Sequence, residues 1–327
     1  MRTIVPGVRT FVVIACGAIL SLSARAQSIT TGNGKLELGL GLGPMFFLGD
    51  LGGHRGTGKT FIKDLNIPLT KFSKGLYVNF YPTEWLGLRA AANFSRLEGS
   101  DSLIRTGDGA EQYRKLRNLQ FQSKVTEFYG ALEFYPTVFF EKYEGLQGKL
   151  RPYGVIGFGI FKFNPQGLYY DQNGGGARWV DLQPLRLEGQ GMRETGRPEY
   201  SLTQYHMPMG FGAKYYIKEN FYVGLEVLHR KTFTDYIDDV STTYIDPSLF
   251  QNYLTPDQAA MATQLHFREN YVPYQPLVTR PALDEQRGDP TENDAFFSTM
   301  LRLGWRLYDH NSPMGRAARQ MRCPSFY

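Results

Sequence analysis

Eight segments of this chain alternate apolar residues with small, polar or charged ones at a period of two. That periodicity belongs to β-strands, whose successive side chains point to opposite faces. Leu36, Leu38, Leu40 and Leu42 are interleaved with Glu37, Gly39 and Gly41. Leu76, Val78 and Phe80 alternate with Tyr77 and Asn79, and Leu86, Leu88 and Phe94 with Gly87, Arg89 and Asn93. Phe128, Leu132 and Phe134 oppose Glu127, Tyr129 and Glu133. Between Tyr153 and Phe163 two phases fit, and the one adopted puts Ile156, Phe158 and Ile160 outward and Gly157 and Gly159 inward. Tyr205, Met207, Met209, Phe211 and Tyr215 then oppose His206, Gly210, Gly212 and Lys214. Phe221, Val223, Leu225 and Val227 oppose Tyr222, Gly224, Glu226 and Leu228. Last, Phe297, Leu301, Leu303, Trp305 and Leu307 oppose Ser298, Met300, Arg302, Gly304 and Arg306.

The charges choose between architectures. Glu37, Arg89, Glu127, Glu133, Lys214, Glu226, Arg302 and Arg306 all fall on the less apolar face. A soluble lipocalin-like barrel or a sandwich turns its apolar face inward. A membrane barrel does the reverse, because charge facing lipid is costly. Segments of about 9–11 residues are long enough to cross a bilayer when tilted. Eight strands leave an interior that side chains fill. The expected fold is therefore all-β: an eight-stranded antiparallel transmembrane β-barrel with long outer loops, its lumen plugged by four acids and four bases. The 21 Tyr and 23 Phe suit aromatic girdles at the two bilayer edges.

The N-terminus supports export. Arg2 and Arg9 precede an apolar run from Phe11 to Leu22, and Ala24-Arg25-Ala26 forms an A-x-A cleavage site. This reads as a signal peptide over residues 1–26, followed by a barrel over 27–308 and a periplasmic tail over 309–327. Val13-Ile14-Ala15-Cys16 is a rival lipoprotein box, but it leaves almost no apolar core ahead of the cut. The whole chain has 36 Lys+Arg against 31 Asp+Glu, and losing Arg2, Arg9 and Arg25 lowers its net charge from +5 to +2. The basic pI is then no argument for nucleic acid. Cys16 leaves with the signal, so Cys323 is the lone mature cysteine and no internal disulfide forms.

Connections alternate in length. Residues 82–85 and 217–220 are tight and 136–152 is intermediate, whereas 49–73, 97–121, 164–199 and 231–294 are long. Short periplasmic turns and long external loops are the usual asymmetry. Within the longest loop, Thr255-Pro256-Asp257-Gln258 predicts a capped helix over roughly 256–268, and Asp246-Pro247 a shorter one.

One motif points elsewhere. Gly53-His54-Arg55-Gly56-Thr57-Gly58-Lys59-Thr60 matches the phosphate-binding pattern, with Gly53, Gly58, Lys59 and Thr60 at its key positions. A working P-loop joins a buried parallel strand to a helix. Here the preceding strand alternates, and Pro68 follows within two helical turns. The match is read as chance in a glycine-rich outer loop, and no cofactor is implied. His54, His206, His229, His266 and His310 lack metal-ligand spacing. Asp235, Asp238 and Asp239 do not have calcium-loop spacing and read as capping or surface charge. Arg287-Gly288-Asp289 reads as a loop turn rather than an adhesion tripeptide. No Ser/His/acid set assembles, so the chain reads as non-enzymatic. Its tail carries Arg316, Arg319, Arg322, Cys323 and Phe326, which are candidate partner contacts, Cys323 through an intermolecular disulfide.

Four stretches carry a family resemblance: "GPMFFLGDLGG", "VGLEVLHRKTFTDYIDDVSTTY", "RGDPTENDAFF" and the Cys-Pro tail. They resemble the PorG-type outer-membrane barrels of Bacteroidota, most specifically in "RKTFTDYIDDVS". The resemblance implies an outer-membrane component of the type IX secretion system, which exports proteins bearing a C-terminal sorting domain. It implies the PorK lipoprotein, PorN, outer-membrane lipid and other secretion-system components as partners, and brings no catalytic residues. A stand-alone adhesin or ligand-binding barrel is the alternative.

Overall fold

A computed structural model describes residues 36–51, 69–103, 114, 117–140, 146–171, 176–268 and 283–307. Among them are ten strands: β1 (Leu36–Leu48), β2 (Lys71–Phe80), β3 (Leu86–Ser100), β4 (Gln120–Phe134), β5 (Leu150–Lys162), β6 (Pro165–Asp171), β7 (Gly176–Asp181), β8 (Thr203–Lys218), β9 (Phe221–Thr232) and β10 (Ala295–Leu307). Eight close a ring in the antiparallel order β1–β2–β3–β4–β5–β8–β9–β10, with β10 returning to β1. Closure removes the unpaired edges that a bilayer could not satisfy.

Register sets the tilt. From Lys74, the row of paired residues runs through Phe94, Thr126 and Lys162 to Thr203 on β8. The other way round, it passes Leu42, Leu301 and Leu225 and reaches β8 at Ala213, ten residues further along. That stagger is what strand tilt imposes on a closed barrel.

The wall is inside out relative to a water-soluble protein. Leu36, Leu76, Phe128, Ile156, Phe211 and Leu225 are exposed, whereas Glu37, Glu127, Glu133, Lys214 and Glu226 are fully buried. Ile156, Phe158 and Ile160 do face outward. With an apolar exterior and a charged interior, this is a transmembrane β-barrel. Among the described residues no helix is long and apolar enough to cross a membrane. Glycines on the inner face leave room for large rings: a Cβ on Gly39 would run into Tyr77, and one on Gly304 into Tyr222.

At the long-loop rim the structure is richer than the sequence suggested. β2 begins at Lys71, β3 runs to Ser100 and β4 starts at Gln120, so strands occupy parts of the segments read as loops. The 164–199 segment holds the β6–β7 hairpin, and β6 pairs with β4 over Phe121–Ser123. Their sequences, PQGLYYD and GARWVD, place apolar residues side by side and so carry no period-two signal. Two α-helices follow, α1 (Phe250–Tyr253) and α2 (Pro256–His266). The Thr255 hydroxyl accepts from the Gln258 backbone N–H and the Gln258 side chain accepts from the Thr255 N–H, closing the predicted capping box. The Asp246 side chain caps a 3-10 turn over Pro247–Leu249 that leads into α1. Phe121, Phe161, Phe163, Ile237, Phe250 and Phe296 pack into one apolar core joining these loops to the top of the barrel. Phe297, expected on the lipid face, is buried and stacks on Phe46 at 4.6 Å.

Candidate functional site

The lumen is lined by buried polar and charged side chains. Lys214 donates to Glu37 at 2.9 Å and Glu133 at 3.2 Å. Arg89 bridges Glu133 and Glu226, reaching the latter at 2.6 Å. Arg302 pairs with Glu226, and Arg306 approaches Glu37 at 3.9 Å. Asn79 donates to both Glu37 and Glu133 at 3.0 Å. Tyr222 and Tyr153 donate to Glu37 and Glu226 at 2.5 and 2.7 Å. Nearer the long loops, Arg230 holds Glu127 at 2.6 Å while Asn93 donates to the same carboxylate at 2.5 Å. Burying charge is expensive unless each ion is paired and hydrogen-bonded. Here each carboxylate accepts from two or more donors, so buried and hydrogen-bonded side chains fill this part of the lumen.

All eight charged residues singled out from the sequence are buried in the barrel, Glu127 with Arg230 and Asn93 and the others in the network around Glu37, Glu133 and Glu226. Arg230, and the Arg151–Glu84 pair at 3.0 Å, were not anticipated. Arg230 continues the inward phase of Glu226 and Leu228, so extending β9 by two residues would have found it. Arg151 and Glu84 sit where the strands meet the short turns, outside the clean alternation. His206 stands 3.7 Å from Glu127 in the same lumen.

Over the mouth, distant segments tie into a second polar knot. Leu51 N–H donates to Asp238 at 3.0 Å, Asp289 N–H to Asp50 at 2.7 Å, and Ile237 N–H to Asp294 at 2.8 Å. Arg287 donates to Glu188 at 2.7 Å and to the Asp239 carbonyl at 2.6 Å. Arg117 grips Asp101 at 2.8 Å and donates to the carbonyls of Asp50 and Arg287. Carboxylates here do the work of secondary structure, satisfying loop amides that would otherwise be buried unpaired. Burial pushes Asp235 up to about 8, and Asp239 up to about 7 against the pull of Arg287. Asp50 is pushed up to about 6, and burial holds Asp238 and Asp294 well above the usual carboxylate range.

Asp235, Asp238 and Asp239 are therefore not surface charge: all three are buried, and Asp238 caps the Val240 N–H at 3.0 Å. The phase of β9 ends before them, so their burial depends on the loops folding back. Arg287 is also buried, while Asp289 accepts from the Thr291 N–H at 3.1 Å in a turn. Among the described residues no three His, Cys, Asp or Glu side chains stand together so as to hold a metal ion. The signal peptide, the Gly53, Gly58, Lys59 and Thr60 motif, and the tail with Arg316, Arg319, Arg322, Cys323 and Phe326 lie outside the described residues.

The closed ring, its apolar outer wall and its ion-paired lumen define an eight-stranded membrane barrel of the outer-membrane type. No family model matches the chain, and no curated protein matches it. Among solved structures it is similar to the attachment invasion locus protein Ail of Yersinia pestis, with 9% identity, 83% of this chain and 96% of that chain covered, and a TM-score of 0.31. It is similar to Neisserial surface protein A at 7% identity, covering 84% and 97%, with a TM-score of 0.33. It is also similar to a major outer membrane protein from Thermus thermophilus, at 11% identity, 83% and 99% coverage, and a TM-score of 0.38.

Proposed function

We propose that this barrel is a structural outer-membrane component of the type IX protein secretion machinery. It anchors or positions the periplasmic ring of the PorK lipoprotein and PorN. The observation that carries this reading is the lumen packed with buried ion pairs among the described residues, which makes the barrel a rigid fixture. The resemblance to PorG-type barrels supplies the machine. Three of the stretches that carry it, around Asp50, Asp238 and Arg287–Asp294, meet in the knot over the mouth. In this reading the long loops face outward, and the short turns and the tail face the periplasm.

The test is deletion with affinity capture. Cells lacking the gene should retain sorting-domain cargo, and the tagged protein should bring down PorK and PorN from detergent extracts. Normal export together with an empty pull-down would overturn the proposal. The ordered loop core favours one rival, a stand-alone adhesin or ligand-binding barrel, which would leave export intact and capture no ring proteins.

A further inference from the structure

The outward positions of the barrel carry no charge over most of their height. On β1, β8 and β10 they are uncharged from end to end, apart from the turn residue Lys218. On the other strands, charge appears only near the long-loop rim. There β2 presents Lys74, β3 Arg96 and Glu98, β4 Lys124, β5 Lys162 and β9 Lys231. Glu98 is the one acid, and Lys71 neutralises it at 2.9 Å. Lys74, Lys124, Lys162 and Lys231 are exposed and form no ion pair among the described residues.

Four of these cations share one face. β2, β3, β4 and β5 are consecutive in the sheet, about 4.8 Å apart. Lys74 and Lys162 lie on the same paired row, with Phe94 and Thr126 between them. One step towards the long loops, Arg96 and Lys124 are direct cross-strand partners. Like charges in that position repel. Arg96 donates to the Gln122 side-chain oxygen at 3.1 Å, and among the described residues neither Arg96 nor Lys124 forms an ion pair. Directly below, Phe94 and Phe128 meet edge to face at 6.5 Å, both exposed, with Ile160 exposed beside them. The face thus carries cations above and an aromatic–aliphatic bed below, complementary to a lipid with an anionic head and apolar chains.

We propose that this face binds a phosphorylated glycolipid of the outer leaflet. A head-group phosphate lies between Arg96 and Lys124, Lys74 and Lys162 flank it, and acyl chains cover Phe94, Phe128 and Ile160. The proposal rests on the reading that the long loops face outward. It is independent of any contact with the secretion ring.

The test uses the full-length protein in detergent, with bis-phosphorylated lipid A as probe and retained lipid counted by native mass spectrometry. The wild type should keep at least one lipid A, and its dephosphorylated form should bind at least about tenfold more weakly. The double variant Arg96→Gln/Lys124→Gln should lose binding by about the same factor, while Lys231→Gln should not. Both exchanges are on the outer surface, and heat-modifiable gel mobility verifies that the variants are folded. Inorganic phosphate should not displace the lipid. Equal retention by the double variant, equal binding of the dephosphorylated lipid, or displacement by inorganic phosphate would each overturn the assignment. Cargo export and ring capture are read separately, so failure of the lipid site and failure of the secretion role are distinguishable.

Discussion

Lys214 of β8 meets Glu37 of β1 at 2.9 Å across the barrel lumen, although 177 residues separate them in the chain. The same ammonium reaches Glu133 of β4 at 3.2 Å and the Tyr81 hydroxyl at 2.8 Å. One cation thus ties three separate strands of the wall and a fourth residue at the end of β2.

Removing that cation should be severe. Lys214→Met leaves Glu37 and Glu133 buried with reduced compensation, and breaking a buried ion pair costs about 3–5 kcal/mol. Urea unfolding in detergent micelles, followed by gel mobility, should show the midpoint falling sharply. A variant as stable as wild type would mean that water or another cation replaces the ammonium.

Packing around the inner glycines is similarly tight. Tyr77 and Tyr222 share a hydrogen bond of 2.5 Å beneath Gly39 and Gly304. Gly39→Val should overpack this layer, at a cost of about 1–3 kcal/mol. Adding Tyr77→Leu should recover part of the loss. Equal stability of the single variant and wild type in thermal scans would contradict the close packing.

The filled lumen also predicts electrical silence. Reconstituted in planar bilayers, the protein should show no sustained unitary conductance at any salt concentration. A stable open level would mean that the Arg89, Lys214 and Arg302 network rearranges in the membrane.

Over the mouth, the acids make the loop knot pH-sensitive. Asp50, Asp239 and Asp235 are pushed to about 6, 7 and 8, against an ordinary value of 3.8. Their folded pKa values exceed the unfolded one, so protonation favours the folded knot. That contribution is complete below about pH 3.8 and is withdrawn as pH rises through 6 to 8. Hydrogen exchange of residues 233–250, corrected for intrinsic rates, should show protection falling between pH 5.5 and pH 8. Asp235→Asn should flatten the profile at its upper end, and a profile unaffected by pH would refute the assignment.

The strands of the ring were legible because lipid and lumen impose opposite chemistry on alternate residues. A period of two therefore sorts side chains without knowledge of their partners. Parity put Glu37, Arg89, Lys214 and Arg302 on one face, and the cost of charge against lipid made that face the interior. What parity could not supply was pairing. That Arg89 bridges Glu133 and Glu226 follows from closure and from the ten-residue stagger around the ring. The loops were still less legible. The β6–β7 hairpin borrows its edge from β4, and the knot of Asp50, Asp238 and Asp294 gathers amides from segments as much as 239 residues apart. Local sequence determined which face each strand residue occupies, because that choice depends on the residue and its immediate neighbours. Only the tertiary structure decided which charges meet and which loop acids are buried, because those outcomes depend on groups that approach only after the barrel closes.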